Sequence, residues 1–297
     1  MKYTKYALGR LFTCLLVIWL GVTVMALVPV IRGDQAYSLT LREYVQYLKA
    51  VVHMDFGLSK FYKVEIGPLV WRYMPYTMGL CIAANLVAWI AGNAIGLMAG
   101  IAHGKAVSRV LEALAMTIYP IPYFILALVV QMIFAYILRL FPLTSEIMTG
   151  RGAAVFWSSL LRSSTLPAIT MILSALGWWI ISMSTLAGVA DGEDYAQFAR
   201  LRGIPNGKIA RRYIRPNCML PQVTALAIQL GTAFGGALMT EMVFGYPGVG
   251  FLMQRAAFNN DYNLLFGASV ISIVAIAVST TVVDLIYPLV DPRVRLT

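Results

Sequence analysis

The sequence predicts an all-α polytopic membrane protein with six transmembrane helices, and three observations predict it. Of 297 residues, 60% are hydrophobic and only 12% are charged, against roughly a quarter charged in a soluble domain. The mean hydropathy is +0.75. Six apolar stretches reach the roughly 20 residues needed to cross a hydrocarbon core about 30 Å thick at 1.5 Å per residue. A water-soluble globule is excluded, and so is intrinsic disorder, which needs low hydrophobicity and high charge. The whole chain, 1–297, reads as one transmembrane domain.

The spans run over about 11–31, 76–102, 110–138, 166–188, 221–243 and 264–290. Lys2, Lys5 and Arg10 precede the first, but its apolar run exceeds the roughly 7–15 residues of a secretory signal core, so it reads as a retained helix. The loop over about 32–75 holds a stretch with apolar residues at helical spacing, Leu41 to Val52, followed by the turn-forming run Asp55-Phe56-Gly57-Leu58-Ser59. Pro120 and Pro122 interrupt the third span; proline removes a backbone hydrogen bond, so a kink and a possible hinge are expected there. Glu112, Glu241 and Asp284 are the acids within the spans. They sit near helix ends, whereas an ion-coupled carrier places its coupling charge near the midplane.

Between the fourth and fifth spans, residues 189–220 form the longest loop on the side of the termini. Asp191, Glu193 and Asp194 precede a helical stretch, Tyr195 to Arg202, where acids near a helix N-terminus oppose the macrodipole favourably. Gly203 stops it and Pro205 prevents its resumption without a turn. A second short helix is expected from about Gly207 to Arg215, ending before Pro216, with Pro221 opening the next span. Helix, turn, helix between two spans is an object that transmits force if a partner grips it. The segment Phe244 to Gly250, with Pro247, Gly248 and Gly250 after an apolar helix, predicts a compact turn at the opposite end.

Charge placement orients the chain. With both termini inside, the inner segments carry basic residues at about twice the density of the outer ones, which is the arrangement that the positive-inside rule requires. The net charge of +10 is then mainly a topology signal with anionic lipid contact as a by-product, and no nucleic acid partner is expected. Cys14, Cys81 and Cys218 are unpaired in spacing and His53 and His103 lie far apart, so neither a disulfide framework nor a metal site is expected. Gly203-Ile204-Pro205-Asn206-Gly207-Lys208 has three residues between its glycines where a phosphate-binding loop has four, and Ile209 stands where Ser or Thr would hold magnesium. The chain is therefore expected to be no enzyme, to bind no cofactor, and to hydrolyse no ATP by itself. Gln131, Trp178, Trp179, Gln229 and Glu241 are the candidates to line a path, because amide or carboxylate groups in a span need partners or water.

The run from Asp194 and Tyr195 through Ala199, Arg200, Arg202 and Gly203, with Asn217 and Leu220-Pro221 downstream, resembles the coupling loop of binding-protein-dependent ABC importer permeases. Further marks resemble the dipeptide, oligopeptide and nickel branch: Tyr47-Leu48, Asp55-Phe56-Gly57 with Ser59, Arg72 with Pro75 and Thr77, Pro122 with Phe124, Glu241 with Phe244, Tyr246-Pro247-Gly248 and Gly250, Asp261-Tyr262, and Asp284 with Tyr287 and Asp291-Pro292-Arg293. The resemblance covers almost the whole chain. It implies a type I permease fold in the cytoplasmic membrane, lining half a translocation path beside a second, homologous permease. Two cytoplasmic ATPases, carrying the ATP and magnesium, would grip the coupling loop, and an extracytoplasmic binding protein would deliver cargo. Asp194, Tyr195, Ala199, Arg200, Arg202, Gly203, Arg211 and Arg212 would serve coupling. Small Ala199 would let the elbow seat closely, Gly203 would fix its angle, and Arg200, Arg202, Arg211 and Arg212 would pair with acidic residues of the ATPase or with lipid phosphate. Phe244, Tyr246, Pro247, Gly248 and Gly250 would lie beneath the binding protein. The loop between the first two spans is shorter than is usual in that family. Peptide is the expected cargo, with an oligosaccharide or a nickel chelate as the alternatives and an ATP-independent carrier as the rival mechanism.

Overall fold

The computed structural model describes residues 2–31, 40–102, 106–148, 150 and 152–290. His103, Lys105, the Asp291-Pro292-Arg293 mark and Arg295 lie outside the described residues. The elements are α1 (Lys2–Ile31), α2 (Leu41–Val52), α3 (Ile66–Ile101), α4 (Ala106–Ile118) and α5 (Tyr123–Gln131), the last continued by a π-helical segment, Met132–Ile137. Then come α6 (Ala153–Gly192), α7 (Asp194–Leu201), α8 (Asn206–Ile209), a second π segment (Ala210–Ile214), α9 (Arg215–Phe244), α10 (Val249–Phe258) and α11 (Tyr262–Val290). Among the described residues the one extended pairing is an isolated bridge between Leu58 and Glu65.

Four helices are long and apolar enough to cross a membrane: Tyr6–Val28, Ile66–Ile101, Ala153–Gly192 and Tyr262–Leu285. Two bent pairs bring the number to six if each is one span: Ala106–Ile118 with Tyr123–Ile137, bent by 103°, and Asn206–Leu230 with Ala233–Phe244, bent by 53°.

The bundle is organised on α3 and α6, which run parallel in the most extensive helix contact of the fold. Gly92, Gly96 and Gly100 recur every fourth residue on α3, and each faces the backbone or Cβ of Trp179, Ile180 and Met183, or Ser184 and Ala187 on α6. A Cβ at Gly96 would sit 2.6 Å from the Ile180 carbonyl oxygen, so only glycine permits the two axes to approach this closely. Around this pair α9 and α10 pack on α3 and α11, forming an apolar core of Ile66, Val70, Phe234, Leu252, Leu264 and Ile271 at one end. A second core, of Met183, Ala187, Ile209 and Ile214, lies where α7 and α8 meet α6 at the other end. We call these the cap end and the elbow end. Helix α1 lies along α11, with Leu15, Trp19 and Val24 exposed.

The expected kink is present and sharp, and three helix boundaries differ from those expected. After Ile118 the chain turns through 103° at the Pro120–Pro122 break, because two prolines so close leave too few backbone donors to carry a helix across. Helix α6 begins at Ala153, well before the expected 166. Its early turns are polar because Ser159 Oγ accepts from Met148 N–H at 3.0 Å and Ser163 Oγ accepts from Glu146 N–H at 3.1 Å, lashing residues 146–148 to the helix. Helix α3 likewise starts at Ile66 and passes through Pro75 unbroken. Pro216 does not end a helix. The π turn at Ala210–Ile214 runs straight into α9, its wider coil relieving the donor and the space that Pro216 lacks and needs.

Candidate functional site

At the elbow end, Asp194 lies in the first turn of α7 and Arg200 in the last, both complementing the helix dipole. Arg202 caps the helix and Gly203 takes φ +74°. The Gly203 N–H donates to the Arg200 carbonyl at 2.9 Å and the Ile204 N–H to the Ala199 carbonyl at 3.2 Å, which is a Schellman ending in which glycine carries the left-handed residue. Ala196 and Ala199, one turn apart, are buried against Met183, Ala187, Ile209 and Cys218, and Tyr195 is half-buried beside them. The opposite face carries Phe198 and Leu201, 64% and 82% exposed. Two polar ties hold the elbow to the end of α6: the Arg200 guanidinium pairs with the Asp191 carboxylate and donates to its carbonyl at 3.1 Å, and Gln197 Nε2 donates to the Gly192 carbonyl at 2.7 Å. Next to it, Gly207, Lys208, Arg211, Arg212 and Arg215 border an open groove of about 710 Å³.

Of the expected coupling residues, Ala199 faces the chain's own core and seats α7 on α6. Arg200 is engaged with Asp191 and braces the elbow. Asp194, Arg202, Arg211 and Arg212 are exposed. Phe198 and Leu201 carry the available apolar surface; the alternation of small and large side chains at a spacing of three, Ala196 and Ala199 against Phe198 and Leu201, was the signal for them.

At the cap end the Phe244–Gly250 turn folds inward. Phe244, Tyr246, Gly248 and Gly250 are buried and Pro247 is half-buried, so the turn is compact and packed. Apolar side chains after a helix end seek the core. Gly245, at φ +60°, closes α9 and lets the chain turn back into it. The Glu241 carboxylate, 0% exposed, accepts the Gly250 N–H at 2.7 Å and so caps α10, while Thr77 Oγ1 of α3 accepts the Val249 N–H at 2.9 Å. A Cβ on Gly248 would lie 2.2 Å from the Glu241 carboxylate. Tyr246 meets Tyr76 edge-on at 6.5 Å, and its hydroxyl accepts from Ser164 Oγ at 3.2 Å.

A second tie joins the α2–α3 loop to the start of α11. The Asp261 carboxylate, 0% exposed, accepts from the Ser59 hydroxyl at 2.6 Å, from the Phe61 N–H at 3.0 Å and from the Leu264 N–H at 3.2 Å. Burial on its own would raise its pKa, but the hydrogen bonds from Phe61, Ser59, Leu264 and Lys60 outweigh it and hold the carboxyl below the usual carboxylate value. Gly57, at φ +71°, turns the loop so that Phe56 reaches the core beside Ile66. The motif residues around 55–59, 241–250 and 261 are therefore brought together as one packed cap.

The chain matches the family described as "Binding-protein-dependent transport system inner membrane component" over residues 92–296. It belongs to that family. The match takes in the elbow and the α9–α11 part of the cap. The chain is similar to the dipeptide transport system permease protein DppB of Escherichia coli (strain K12), 26% identical over 275 residues covering 86% of this chain and 80% of the relative. DppB of Bacillus subtilis (strain 168) is 27% identical over 257 residues, covering 86% and 79%. The oligopeptide transport system permease protein OppB of Escherichia coli (strain K12) is 27% identical over 264 residues, covering 86% and 80%.

In this inner membrane component the residues expected to line a path part company. Trp179 is fully buried, its Cβ against Gly92 and its ring edge-on to Trp178 at 4.5 Å. Glu241 is committed to the cap. Gln131 donates to the backbone carbonyls of Leu143 at 2.8 Å and Val243 at 3.2 Å, fastening the end of α5 to the end of α9. Within this chain these three pack and cap, Gln131 and Glu241 through backbone partners, which polar groups in a span need. Trp178 and Gln229 are half-buried.

Proposed function

We propose that this component is one of two homologous permease subunits of an ABC importer, moving a peptide-like solute that an extracytoplasmic binding protein delivers. Two cytoplasmic ATPases, with ATP and magnesium on them and no cofactor on this chain, push on the elbow, and both termini lie in the cytoplasm. The observation that carries the reading is α7: an amphipathic helix sealed to the membrane bundle by Ala196 and Ala199, with Phe198 and Leu201 turned out and left uncovered by the described residues. An exposed apolar pair on a braced helix is what a partner interface needs. Gly203 fixes the angle of the elbow, and Arg202, Arg211 and Arg212 supply a basic rim for acidic residues of the ATPase. Peptide as cargo is supported by the relatives, which are named for dipeptides and oligopeptides. Trp178 and Gln229 are the path-lining residues of this reading.

The test is ATP-dependent uptake into proteoliposomes holding the whole complex. Labelled di- and oligopeptides accumulate with the wild-type chain. With Leu201→Asp uptake falls by at least about tenfold, the loss of about 1.4 kcal/mol or more expected from an interface anchor. Accumulation of oligosaccharide or nickel chelate in place of peptide would overturn the cargo assignment. Undiminished uptake with Leu201→Asp would overturn the coupling role.

A further inference from the structure

Helix α2 is tethered to α1 at a definite height. The Tyr44 hydroxyl, on α2, lies 2.6 Å from Thr23 Oγ1 on α1. Thr23 is eight residues short of Ile31, the last apolar residue before Arg32, and at 1.5 Å per residue this is roughly 12 Å inside the apolar stretch. A tyrosine side chain reaches no farther than that. Even with Tyr44 pointing straight down the membrane normal, the α2 backbone is no higher than the level at which the span ends.

The faces of α2 suit that level. Tyr44, Tyr47, Leu48 and Val51, at helical spacing, are half-buried and turn toward the chain, and Ala50, beside them in sequence, is half-buried too. Beside them, Leu41, Val45 and Val52 form an exposed apolar strip, at 81%, 43% and 79% exposure. Arg42, next to Leu41, and Lys49, four residues after Val45 and three before Val52, border it on the exposed side. A capping box of Thr40 and Glu43 fixes the helix start, the Glu43 carboxylate accepting the Thr40 N–H at 2.8 Å. An apolar strip edged by cations, at the depth where hydrocarbon gives way to headgroups, is the chemistry of a helix that lies in a membrane interface.

We infer that α2 is half sunk in the lipid leaflet at the cap end, its Leu41, Val45 and Val52 strip among acyl chains and Arg42 and Lys49 on lipid phosphates. The helix then holds the entry to α3 at a fixed depth, independently of which cargo the importer moves. The experiment places an environment-sensitive fluorophore on Val45→Cys, Val52→Cys or Gln46→Cys in a Cys14→Ala background, since Cys81 and Cys218 are buried. The complete transporter is set in nanodiscs containing phosphatidylglycerol and a phospholipid with a nitroxide near its glycerol backbone. Labels at 45 and 52 are expected to be quenched by the lipid nitroxide at least about twofold more than the label at 46, and less by a water-soluble quencher. Labels at 45 and 52 that follow 46, or that another subunit or the binding protein shields from the lipid quencher, would overturn the inference.

Discussion

Glu241 and Gly248 define each other. The carboxylate fills the space that a side chain at 248 would need, and the Gly250 N–H that it accepts would otherwise be an unpaired donor at the start of α10. Gly248→Ala should therefore cost about 1–3 kcal/mol, as overpacking does, read as a lower melting temperature of the purified chain in detergent. In a Glu241→Ala background the same change should be nearly neutral; equal costs in both backgrounds would refute the pairing. Asp261 makes a prediction of another kind. Its folded carboxyl gives up its proton more readily than the unfolded one. Its contribution is thus complete above the ordinary carboxylate value near 4 and is lost as pH falls through the lower folded value. Melting temperature should drop more steeply below about pH 4 in the wild type than in Asp261→Asn, and that variant should be destabilised at neutral pH by about 2–3 kcal/mol through weakened hydrogen bonds to a buried charge. A variant with wild-type stability at pH 7 would show that the loop is held by other contacts.

Helices α3 and α6 are set by glycine spacing, and this too can be measured. Gly96→Ala should destabilise, because the new Cβ meets the Ile180 carbonyl oxygen at 2.6 Å, whereas Gly79→Ala on the same helix meets nothing within 4 Å and should be neutral or gain up to about 1 kcal/mol. Similar melting temperatures for the two variants would mean that the helices can separate without loss. At the elbow, Gly203→Pro removes the N–H that binds the Arg200 carbonyl and cannot adopt φ +74°. Insertion and assembly should persist while ATP-driven uptake is lost. The end of α7 at Gly203 was legible because a glycine and a following proline leave a helix little choice. So was the existence of each apolar stretch. Direction and length were not. Hydropathy weighs composition, and the residues around Pro120 are as apolar after a 103° turn as before it. The early start of α6 was hidden by Ser159 and Ser163, which look like loop residues until their partners at 146 and 148 are seen. The neighbour of Ala199 was hidden for a related reason: a small residue permits close approach, but sequence does not say to what.

Across the whole molecule, the cap and the elbow are the two ends of one bundle whose axis is the α3–α6 pair. Each is rigidly fastened, the cap through Glu241, Thr77 and Asp261, the elbow through Arg200, Gln197 and the two buried alanines. On the proposed reading, a push at α7 would be delivered to α6 and the root of α9 and not dissipated in a loop. Family membership was readable from motifs spread over the chain, whereas the contacts that fasten each end were not. Glu241 and Trp179 are both 0% exposed, which one-dimensional order does not reveal because it does not say which side of a helix faces its neighbours. The most direct measurement is photocrosslinking from a benzoylphenylalanine placed at Leu201 in the assembled importer, beside the same probe at the exposed Leu114 on α4. A covalent product joining this chain to the ATPase from position 201, and none from 114, is the predicted result. An ATPase that co-purifies with the chain but never crosslinks from 201 would contradict the elbow as the point at which ATP hydrolysis is felt.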